Sequence, residues 1–341
     1  MTTLVTGATG FLGSHVARQL VARGDTVRVL ARPTSDLRAL GGLAVERVTG
    51  DLRDAASLEP ALEGVSCVFH VAADYRLWAR HPQEIYESNV TGTRNLLEAA
   101  RVAGVKRFVY TSTVATIAVP THGALPNEHS ETTLEQMIGD YKRSKFLAEQ
   151  EVLRAVDRGV PAVIASPTTP VGPGDWKPTP TGKIIVDFLN GRMPGYVDTG
   201  LNFVPVEDAA AGHLLVAESG RIGERYLLGG ENLTLREMLE MLSRASGLRA
   251  PRLRLPHAVA YAAACATTAF ARLTGGEPSI PVDSVRIARH LMFVDCSRAP
   301  RELRFSAGPV AAALERAVRW YESNGYVAAS RLERLARAHA A

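Results

Sequence analysis

The sequence has little cysteine, few aromatic residues and no long hydrophobic run. Its three cysteines, Cys67, Cys265 and Cys296, lie far apart, which favours reduced thiols in the cytoplasm over a disulfide framework. The most apolar segment, residues 258–271, is rich in alanine and too short to span a bilayer. No basic leader precedes an apolar stretch at the N-terminus, so we expect no secretory signal peptide.

Neither sign of charge is in large excess. The formal net charge is +4 without a run of like charges, which argues against nucleic-acid binding, although the excess could attract an anionic substrate or cofactor. Potential ligand side chains show no metal-binding spacing, so we expect no metal. Arg249, Arg252 and Arg254 precede the alanine-rich segment, so peripheral contact with a membrane stays open as an alternative to a packed helix.

Short apolar runs alternate with helical patterns through the first half of the chain. This alternation predicts a parallel sheet covered by helices on both faces, which is a doubly wound α/β fold of the Rossmann type. Helices are expected at residues 11–23, around 95–99 and at 141–156. The predicted strands are residues 4–5, 26–30, 45–48, 67–69, 108–110 and 162–164.

The chain changes character after Ser166. Residues 167–180 are dense in proline and glycine and cannot form a regular element, and helical patterns then dominate. We therefore expect residues 1–166 to form the parallel-sheet domain and residues 167–326 to form a smaller, mostly helical substrate-binding region. The division is predicted to be discontinuous, because the apolar runs at 202–206 and 225–228 could return to the sheet, within 202–229. Residues 327–341 are predicted to form a charged tail helix.

Three glycines lie between the first strand and its helix. Gly7, Gly10 and Gly13 suit a tight turn, a close approach of the backbone to a pyrophosphate, and close packing of helix on strand. The helix that follows offers free N–H groups and the positive end of its dipole to phosphates. No lysine follows, which excludes a kinase-type phosphate loop. At this place in an alternating β/α sequence, the turn predicts a dinucleotide site.

The end of the second strand indicates which dinucleotide binds. An acidic residue there would accept a hydrogen bond from a ribose 2′-hydroxyl, whereas an arginine accommodates a 2′-phosphate. Arg32 follows the strand and no carboxylate occurs before Asp36, so the sequence favours NADP(H), with NAD(H) as the alternative. Arg32 could otherwise be a solvated surface residue. Asp51, past the third strand, is placed to reach the adenine amino group or to cap a helix.

A tyrosine and a lysine lie four residues apart on one predicted helix. At this spacing Tyr141 and Lys145 share a helix face. A nearby ammonium and the positive charge of an oxidised nicotinamide both favour the phenolate form of a tyrosine. Tyr141 could then exchange a proton with a substrate oxygen while a hydride moves at the same carbon, and Lys145 would hold the nicotinamide ribose. The spacing alone is common, but the glycine turn and the fifth strand upstream predict a catalytic pair.

Together these features resemble the extended short-chain dehydrogenase/reductase superfamily, over nearly the whole chain. The residues that carry the resemblance are the glycine turn, Asp51, Leu52, Ala72, Ala73, Asn89, Thr113, Tyr141 and Lys145. Among its subgroups, the chain is similar to dihydroflavonol-4-reductase-like enzymes and, more closely, to hopanoid-associated sugar epimerases. Residues 73–78, 137–146 and 177–182 carry that similarity.

The resemblance implies roles for further residues. It implies that Thr113, where serine is commoner, polarises the substrate oxygen, and that Asn89 supports a water-linked proton relay. It also implies a homodimer or a monomer, with a dimer formed through the helices after Asn89 and before Val156. The residues expected to bind the cofactor are Gly7, Thr9, Gly10, Phe11, Leu12, Gly13, Arg32, Asp51, Leu52, Ala72, Ala73, Tyr141, Lys145, Pro167 and Thr169.

The expected substrate is a small molecule held in a pocket. Its pocket would be lined by Tyr75, Arg76, Trp78, Thr113 and Trp176. The two tryptophans suit stacking on a sugar or a flat ring, and each could instead only seal the core.

Three functions fit these residues. An NADPH-dependent reductase would reduce a ketone or aldehyde of a sugar-like, ring or lipid-linked substrate and release the alcohol, which Arg32 favours. A nucleotide-sugar epimerase or dehydratase would retain NAD, oxidise a sugar carbon transiently and return the hydride, which the name of the most similar subgroup favours. A non-catalytic dinucleotide-sensing protein would typically lack the tyrosine–lysine pair. The resemblance further implies a role in hopanoid lipid metabolism.

Overall fold

A computed structural model of the chain describes residues 1–117, 124–329 and 331. These residues form eleven strands and twelve α-helices. The strands are β1 (Thr2–Thr6), β2 (Thr26–Ala31), β3 (Glu46–Thr49), β4 (Val65–His70), β5 (Arg107–Thr111), β6 (Ala162–Pro167), β7 (Thr169–Val171), β8 (Gly200–Pro205), β9 (Arg225–Leu228), β10 (Glu231–Thr234) and β11 (Leu291–Met292). The helices are α1 (Phe11–Ala22), α2 (Glu59–Leu62), α3 (Gln83–Tyr86), α4 (Gly92–Val102), α5 (Gly139–Asp157), α6 (Pro180–Leu189), α7 (Val206–Ser219), α8 (Leu235–Ser246), α9 (His257–Thr274), α10 (Val282–Ile287), α11 (Arg298–Leu303) and α12 (Val310–Ser323).

Seven parallel strands form the main sheet, in the order β3-β2-β1-β4-β5-β6-β9. From β1 the chain moves outward to β3 and then returns to the other side of β1 as β4. In open α/β sheets, ligands bind at the carboxyl ends of the strands where the strand order reverses in this way. The prediction of a Rossmann-type doubly wound sheet is confirmed.

Side chains that alternate along each strand give the main sheet two buried faces. Val5 points into a core formed with α1, α7 and α11, while its neighbour Leu4 points into a core formed with α2, α4 and α5. Because helices cover both faces, the central strands contain short unbroken apolar runs such as Leu4-Val5 in β1 and Phe108-Val109-Tyr110 in β5, which explains why such runs predicted them.

A second, smaller sheet follows directly from β6. Its central strand, β8, pairs in parallel with β7 and β11 and antiparallel with β10. Helices α6, α8 and α12 pack on this sheet and form a third apolar core. The region after Ser166 is therefore mostly helical, with a small mixed sheet of its own.

One predicted return to the main sheet is wrong. Residues 225–228 do return, as β9 beside β6, but the run at 202–206 forms most of β8 in the second sheet, and Val206 begins α7. The apolar pattern identifies a strand but not its neighbours. The free edge of β6 is taken by β9. Strand β8 pairs instead with β7, which follows β6 after Thr168. Of the predicted tail helix, residues 327–341, only residues 327–329 and 331 lie within the described part of the chain.

Candidate active site

The glycine turn joins β1 to α1 at the carboxyl edge of the main sheet. Gly7 has a φ of +73°, and a Cβ there would lie 2.5 Å from the backbone nitrogen of Ala72, so only glycine fits. A Cβ on Gly13 would collide with the carbonyl oxygen of Gly7. Gly10 is exposed, and a Cβ there would approach only that carbonyl, at 3.2 Å. The outer side of the turn is therefore open to a ligand.

The first turn of α1 has no side-chain cap. Gly10 occupies the N-cap position, and no acidic residue lies in the turn that follows. Uncapped N–H groups and the positive end of the helix dipole favour an anion at this place. The residues present therefore fit the pyrophosphate of a dinucleotide. Thr9, Phe11 and Leu12, which the sequence predicts as contacts, flank this opening and are half-buried.

Arg32 lies just past β2, is exposed, and makes no ion pair among the described residues. The carboxylates nearby are already engaged. Arg38 holds Asp36 at 2.6 Å, and Arg53 holds Asp51 at 2.7 Å. Both carboxylates already hold an arginine, so a ribose 2′-hydroxyl would compete with that arginine for them, whereas Arg32 has no ion pair among the described residues and is able to receive a phosphate.

Asp51 and Leu52 form the loop after β3. The hydrogen bonds from Arg53 keep the pKa of Asp51 below its ordinary value. Asp54 caps the short helical turn that follows, by accepting from the Ala56 N–H at 3.2 Å, so the capping alternative for Asp51 is wrong. Leu52 packs closely on Gly92, where α4 begins. The contact of Asp51 with adenine stays a prediction.

Lys145 reaches from α5 to the carboxyl end of β5. Its ammonium donates to the hydroxyl of Tyr110 at 2.8 Å and to the carbonyl of Thr111 at 2.7 Å, and it lies 4.3 Å from the centre of the Tyr110 ring. Burial lowers the pKa of Lys145 to about 7. The ammonium has no carboxylate partner within the part of the chain that the structure describes, so an incoming anionic or hydroxyl-bearing ligand would stabilise its charge.

Tyr141 lies one turn before Lys145 on α5 and is half-buried. Burial raises the pKa of its phenol, and a hydrogen bond with the side chain of Thr113 opposes this rise. The Thr113 hydroxyl accepts from the Ala115 N–H at 3.1 Å, which leaves its own proton for the oxygen of Tyr141. The structure thus brings together Tyr141, Lys145 and Thr113, and their catalytic roles stay a prediction.

Asn89 is buried beside these residues in a π-helical turn, Glu87–Thr91. Its amide oxygen accepts from the Asp74 N–H at 2.7 Å. Its amide nitrogen donates to the Asp74 carbonyl and to the Ser144 hydroxyl, at 2.9 Å each. The side chain therefore fixes the loop after β4 against α5. Its part in a proton relay stays a prediction.

The loop after β4 carries the predicted substrate residues. The hydroxyl of Tyr75 donates to the carbonyl of Lys177 at 3.2 Å, which joins this loop to the Pro/Gly-rich loop after β7. The guanidinium of Arg76 is held by Asp74 at 2.6 Å and by Glu84 at 3.0 Å. Arg76 is therefore already paired, whereas Trp78, half-buried on the same loop, remains the better candidate for contact with a substrate.

Trp176 packs among aromatic residues of the C-terminal helix and the turn after it. Its ring meets that of Trp320 edge-on, with centroids 5.0 Å apart, and the Arg38 guanidinium lies 4.7 Å from its centroid. Its carbonyl accepts from the hydroxyl of Tyr326 at 2.6 Å. These contacts favour the alternative in which Trp176 seals the core, and its stacking on a substrate stays a prediction.

Other predicted cofactor residues lie along the same carboxyl edge. Ala72 and Ala73 follow β4, and the N–H of Ala72 donates to the Thr6 hydroxyl at 3.3 Å, behind the glycine turn. Pro167 ends β6 and Thr169 begins β7, at the point where the chain passes from the first sheet to the second.

Comparison with known proteins identifies the family. Residues 3–229 match the NAD dependent epimerase/dehydratase family. The chain belongs to this family. A Synechocystis sp. protein provisionally named dihydroflavonol 4-reductase is 43% identical over 327 residues, 95% of each chain. Sterol demethylase protein B of Methylococcus capsulatus is 39% identical over 329 residues, 96% of this chain and 100% of that protein. The crystal structure of gox2253 matches with a TM-score of 0.86 at 45% identity, and the match covers 96% of this chain and 99% of that one.

Membership of the epimerase/dehydratase family confirms the resemblance to extended short-chain dehydrogenases/reductases. The chain is an enzyme of an NAD(P)-dependent family, which removes the non-catalytic alternative. Among the described residues, no group of His, Cys, Asp and Glu is arranged to hold a metal ion. Within the same ranges, no helix has the length and apolar character needed to cross a membrane.

His70 belongs to the site but was not selected from the sequence. The Thr6 hydroxyl donates to its Nδ1 at 2.7 Å, and its Nε2 donates to the Thr93 hydroxyl at 2.9 Å, which in turn donates to the Asn89 carbonyl at 2.6 Å. Burial lowers the pKa of His70 to about 3, so the ring is neutral. These bonds join β1, which leads into the glycine turn, to Asn89. A histidine that ends an apolar strand was the only sequence signal.

Sequence reasoning also missed Asp175, which lies within the Pro/Gly-rich residues 167–180. One carboxylate oxygen accepts from the N–H and the hydroxyl of Thr179, at 2.8 Å each, and from the Tyr321 hydroxyl at 3.0 Å. The other is buried and has no hydrogen-bond partner among the described residues. Burial raises the pKa of Asp175 to about 6. The residue joins the loop after β7 to α12, across a sequence distance that local patterns do not span.

Proposed function

We propose that the chain is an NADPH-dependent reductase that converts a carbonyl group of a ring-containing or sugar-like substrate to an alcohol. The proposal rests mainly on which charged side chains after β2 are ion-paired and which are not. Arg32 is exposed and unpaired among the described residues, while Asp36 and Asp51 are each occupied by an arginine. A 2′-phosphate would gain a charge-assisted hydrogen bond from Arg32, and a 2′-hydroxyl would find no free carboxylate among these residues.

The protonation of Tyr141 supports the direction of reduction. A nicotinamide dinucleotide, when bound, supplies the hydride. Because burial raises the pKa of Tyr141, its phenol holds a proton at neutral pH and can donate it to the carbonyl oxygen as the carbon accepts the hydride. Once a substrate is bound, the Thr113 hydroxyl would donate to the same substrate oxygen in place of the oxygen of Tyr141. The positive charge of Lys145 then favours the phenolate that Tyr141 becomes.

We further propose that the substrate is a ring compound, with ring-containing lipids as the first candidates to test. One relative, at 39% identity over nearly the full length of both chains, is named for sterol demethylation. Another, at 43%, is named for reduction of a dihydroflavonol. A role in hopanoid lipid metabolism, which the sequence resemblance implies, belongs to the same proposal.

A nucleotide-sugar epimerase or dehydratase that retains NAD is the second candidate. The description of the matching family favours it directly. The two candidates differ in how long the dinucleotide stays bound, because an epimerase must keep the same cofactor through oxidation and return of the hydride, whereas a reductase must exchange it after each turnover.

The cofactor released by the denatured protein distinguishes the two candidates. We expect the purified chain to release much less than one dinucleotide per chain and to be stabilised by added NADPH. Release of one NAD or NADH per chain, measured by chromatography of the denatured supernatant, would overturn the reductase proposal in favour of the epimerase.

A further inference from the structure

Helix α9 is attached to the rest of the molecule along one narrow face. Only Ala264, Thr268 and Ala271 are buried among its 18 residues, and the helix packs mainly on α10. On the opposite side, Val259, Ala263, Ala266, Phe270 and Leu273 recur at helical spacing and are all exposed. We call these five residues the α9 stripe. Phe270 is 66% exposed and Leu273 is 86% exposed, so the stripe is an apolar surface in water.

The chain around the stripe is positively charged. Residues 241–276 contain five arginines and no aspartate or glutamate. The five, which we call the arginine set, are all exposed: Arg244, Arg249, Arg252, Arg254 and Arg272. Among the described residues, only Arg254 forms an ion pair, with Asp198. Such a combination of apolar stripe and unpaired cations is typical of helices that lie in the interface of an anionic membrane.

A cationic cavity lies at the base of the helix. It has a volume of about 480 Å³, and its lining includes Arg236, Arg254, Arg289 and a single carboxylate, Asp198. Arg236 is ion-paired with Glu240 and Arg254 with Asp198. Arg289 is therefore the guanidinium of this lining that has no ion pair among the described residues and is able to receive a lipid phosphate. The cavity therefore continues the charge of the arginine set at the N-terminal end of the stripe.

The α9–α10 hairpin also lies beside the candidate active site. Asp283 of α10 packs on Gly139, where a Cβ would lie 2.5 Å from its carboxylate, two residues before Tyr141. At the same end of the hairpin, where α9 ends, Gly275 lies against Arg80, in the loop that follows the predicted substrate residues. A surface that bound the α9 stripe would thus lie close to the mouth of the site.

We infer that the α9 stripe and the arginine set dock on the surface of an anionic lipid bilayer, with the stripe among the acyl chains and the arginines at the phosphates. A second copy of the chain fits less well, because a two-fold contact through the stripe would bring together two arginine sets in which, among the described residues, only Arg254 is paired. The inference concerns attachment to a membrane surface and does not depend on which reaction the site performs.

Flotation with lipid vesicles tests this inference. The full chain is mixed with vesicles of phosphatidylcholine alone or of phosphatidylcholine with added phosphatidylglycerol. We expect binding to the vesicles with phosphatidylglycerol, weakened by salt, and at least about tenfold less binding for the double variant Phe270→Glu/Leu273→Glu. No binding by the unaltered chain, or equal binding to both kinds of vesicle, would overturn the inference.

A matched variant controls for the added charge. Val102 and Ile222 are also exposed apolar residues, but they precede β5 and β9, at the amino edge of the main sheet. Val102→Glu/Ile222→Glu should bind vesicles as the unaltered chain does. Equal loss of binding in this control, or retained binding in the α9 variant, would contradict docking through the stripe.

Two further measurements test whether the stripe enters the bilayer and whether it instead binds a second copy of the chain. In the variant Phe270→Trp, fluorescence should be quenched by brominated lipids in phosphatidylglycerol vesicles, whereas the variant Val102→Trp should show no added quenching. The oligomeric state is measured by light scattering. A dimer that Phe270→Glu/Leu273→Glu converts to a monomer would assign the stripe to a second copy of the chain instead, and would overturn membrane docking.

Discussion

The exposed guanidinium of Arg32 predicts a preference for NADPH over NADH. Because Arg32 is free to pair with a 2′-phosphate, NADPH should bind about tenfold more tightly than NADH and should raise the unfolding temperature more. The variant Arg32→Ala should lose this difference. Thermal unfolding with each dinucleotide measures it.

The control removes the same charge from a neighbouring strand. Arg47 is an exposed arginine on β3, and Arg47→Ala should keep the preference for NADPH. Equal stabilisation of the unaltered chain by NADH and NADPH would contradict the role given to Arg32.

The buried carboxyl of Asp175 predicts a dependence of stability on pH. Its pKa is raised to about 6, so the folded chain binds a proton that the unfolded chain has already lost at that pH. The stabilisation is therefore full below about pH 4 and is lost as the pH rises through about 6. Relative to Asp175→Asn, the unaltered chain should lose up to about 3 kcal/mol of unfolding free energy across this window.

Urea unfolding at a series of pH values measures this difference. The variant Tyr321→Phe provides a directional check, because it removes a hydrogen bond that lowers the pKa of Asp175. In Tyr321→Phe, the pH at which the stabilisation by protonated Asp175 is lost should therefore be higher than in the unaltered chain. A difference between the unaltered chain and Asp175→Asn that stays constant from acid to neutral pH would show that Asp175 titrates normally.

At the scale of single residues, sequence separation decides what could be predicted. Tyr141 and Lys145 lie on one helix, so their spacing alone predicts that they share a face. The contact of Lys145 with Tyr110 joins a helix to a strand, and that of Asp175 with Tyr321 joins residues 146 positions apart. Such contacts depend on how elements pack, which local patterns do not specify.

Two glycines of the turn between β1 and α1 should respond differently to alanine. A Cβ on Gly13 meets the carbonyl of Gly7, so Gly13→Ala forces helix and strand apart and should cost about 2 to 4 kcal/mol of unfolding free energy. Gly10 has an ordinary φ of −95° and an open outer side, so Gly10→Ala should change stability by less than about 0.5 kcal/mol.

The variants Gly10→Ala and Gly13→Ala also distinguish an effect on cofactor binding from an effect on stability. Gly10→Ala places a methyl group where the pyrophosphate approaches, so the chain should fold normally but gain little stability from NADPH in urea unfolding. A variant Gly10→Ala that is stabilised by NADPH as strongly as the unaltered chain would show that the phosphates bind elsewhere.

At the scale of elements, the strands of the main sheet could be predicted because most of them contain a short apolar run between turns. The second sheet could not, since β11 has only two residues and β7 only three. The segment at 202–206 carries a strand pattern, yet its place beside β7 follows from the path of the chain after β6. Periodicity identifies a strand, and packing chooses its partners.

At the scale of the whole molecule, the candidate site lies where the two sheets meet. The chain passes between them at Thr168, whose N–H donates to the carbonyl of Leu228 at 3.1 Å, so the carboxyl edge of the main sheet continues into the second sheet. The glycine turn and the Tyr141–Lys145 pair lie on the first side of this junction, and the loop of Trp176 follows it. A dinucleotide bound at the main sheet would thus face a substrate held by residues on both sides of the junction.

The central claim is that Tyr141 supplies the proton while a hydride reduces a carbonyl carbon. It is tested by the rate of NADPH consumption with a panel of cyclic ketones, comparing the unaltered chain with Tyr141→Phe. Tyr86→Phe is the control, because the Tyr86 hydroxyl donates to Asp140 at 3.0 Å near the start of α5. We predict a loss of at least about a hundredfold for Tyr141→Phe, with NADPH affinity within a few-fold of the unaltered chain and Tyr86→Phe nearly unchanged. A Tyr141→Phe variant that consumes NADPH at the unaltered rate would contradict the account.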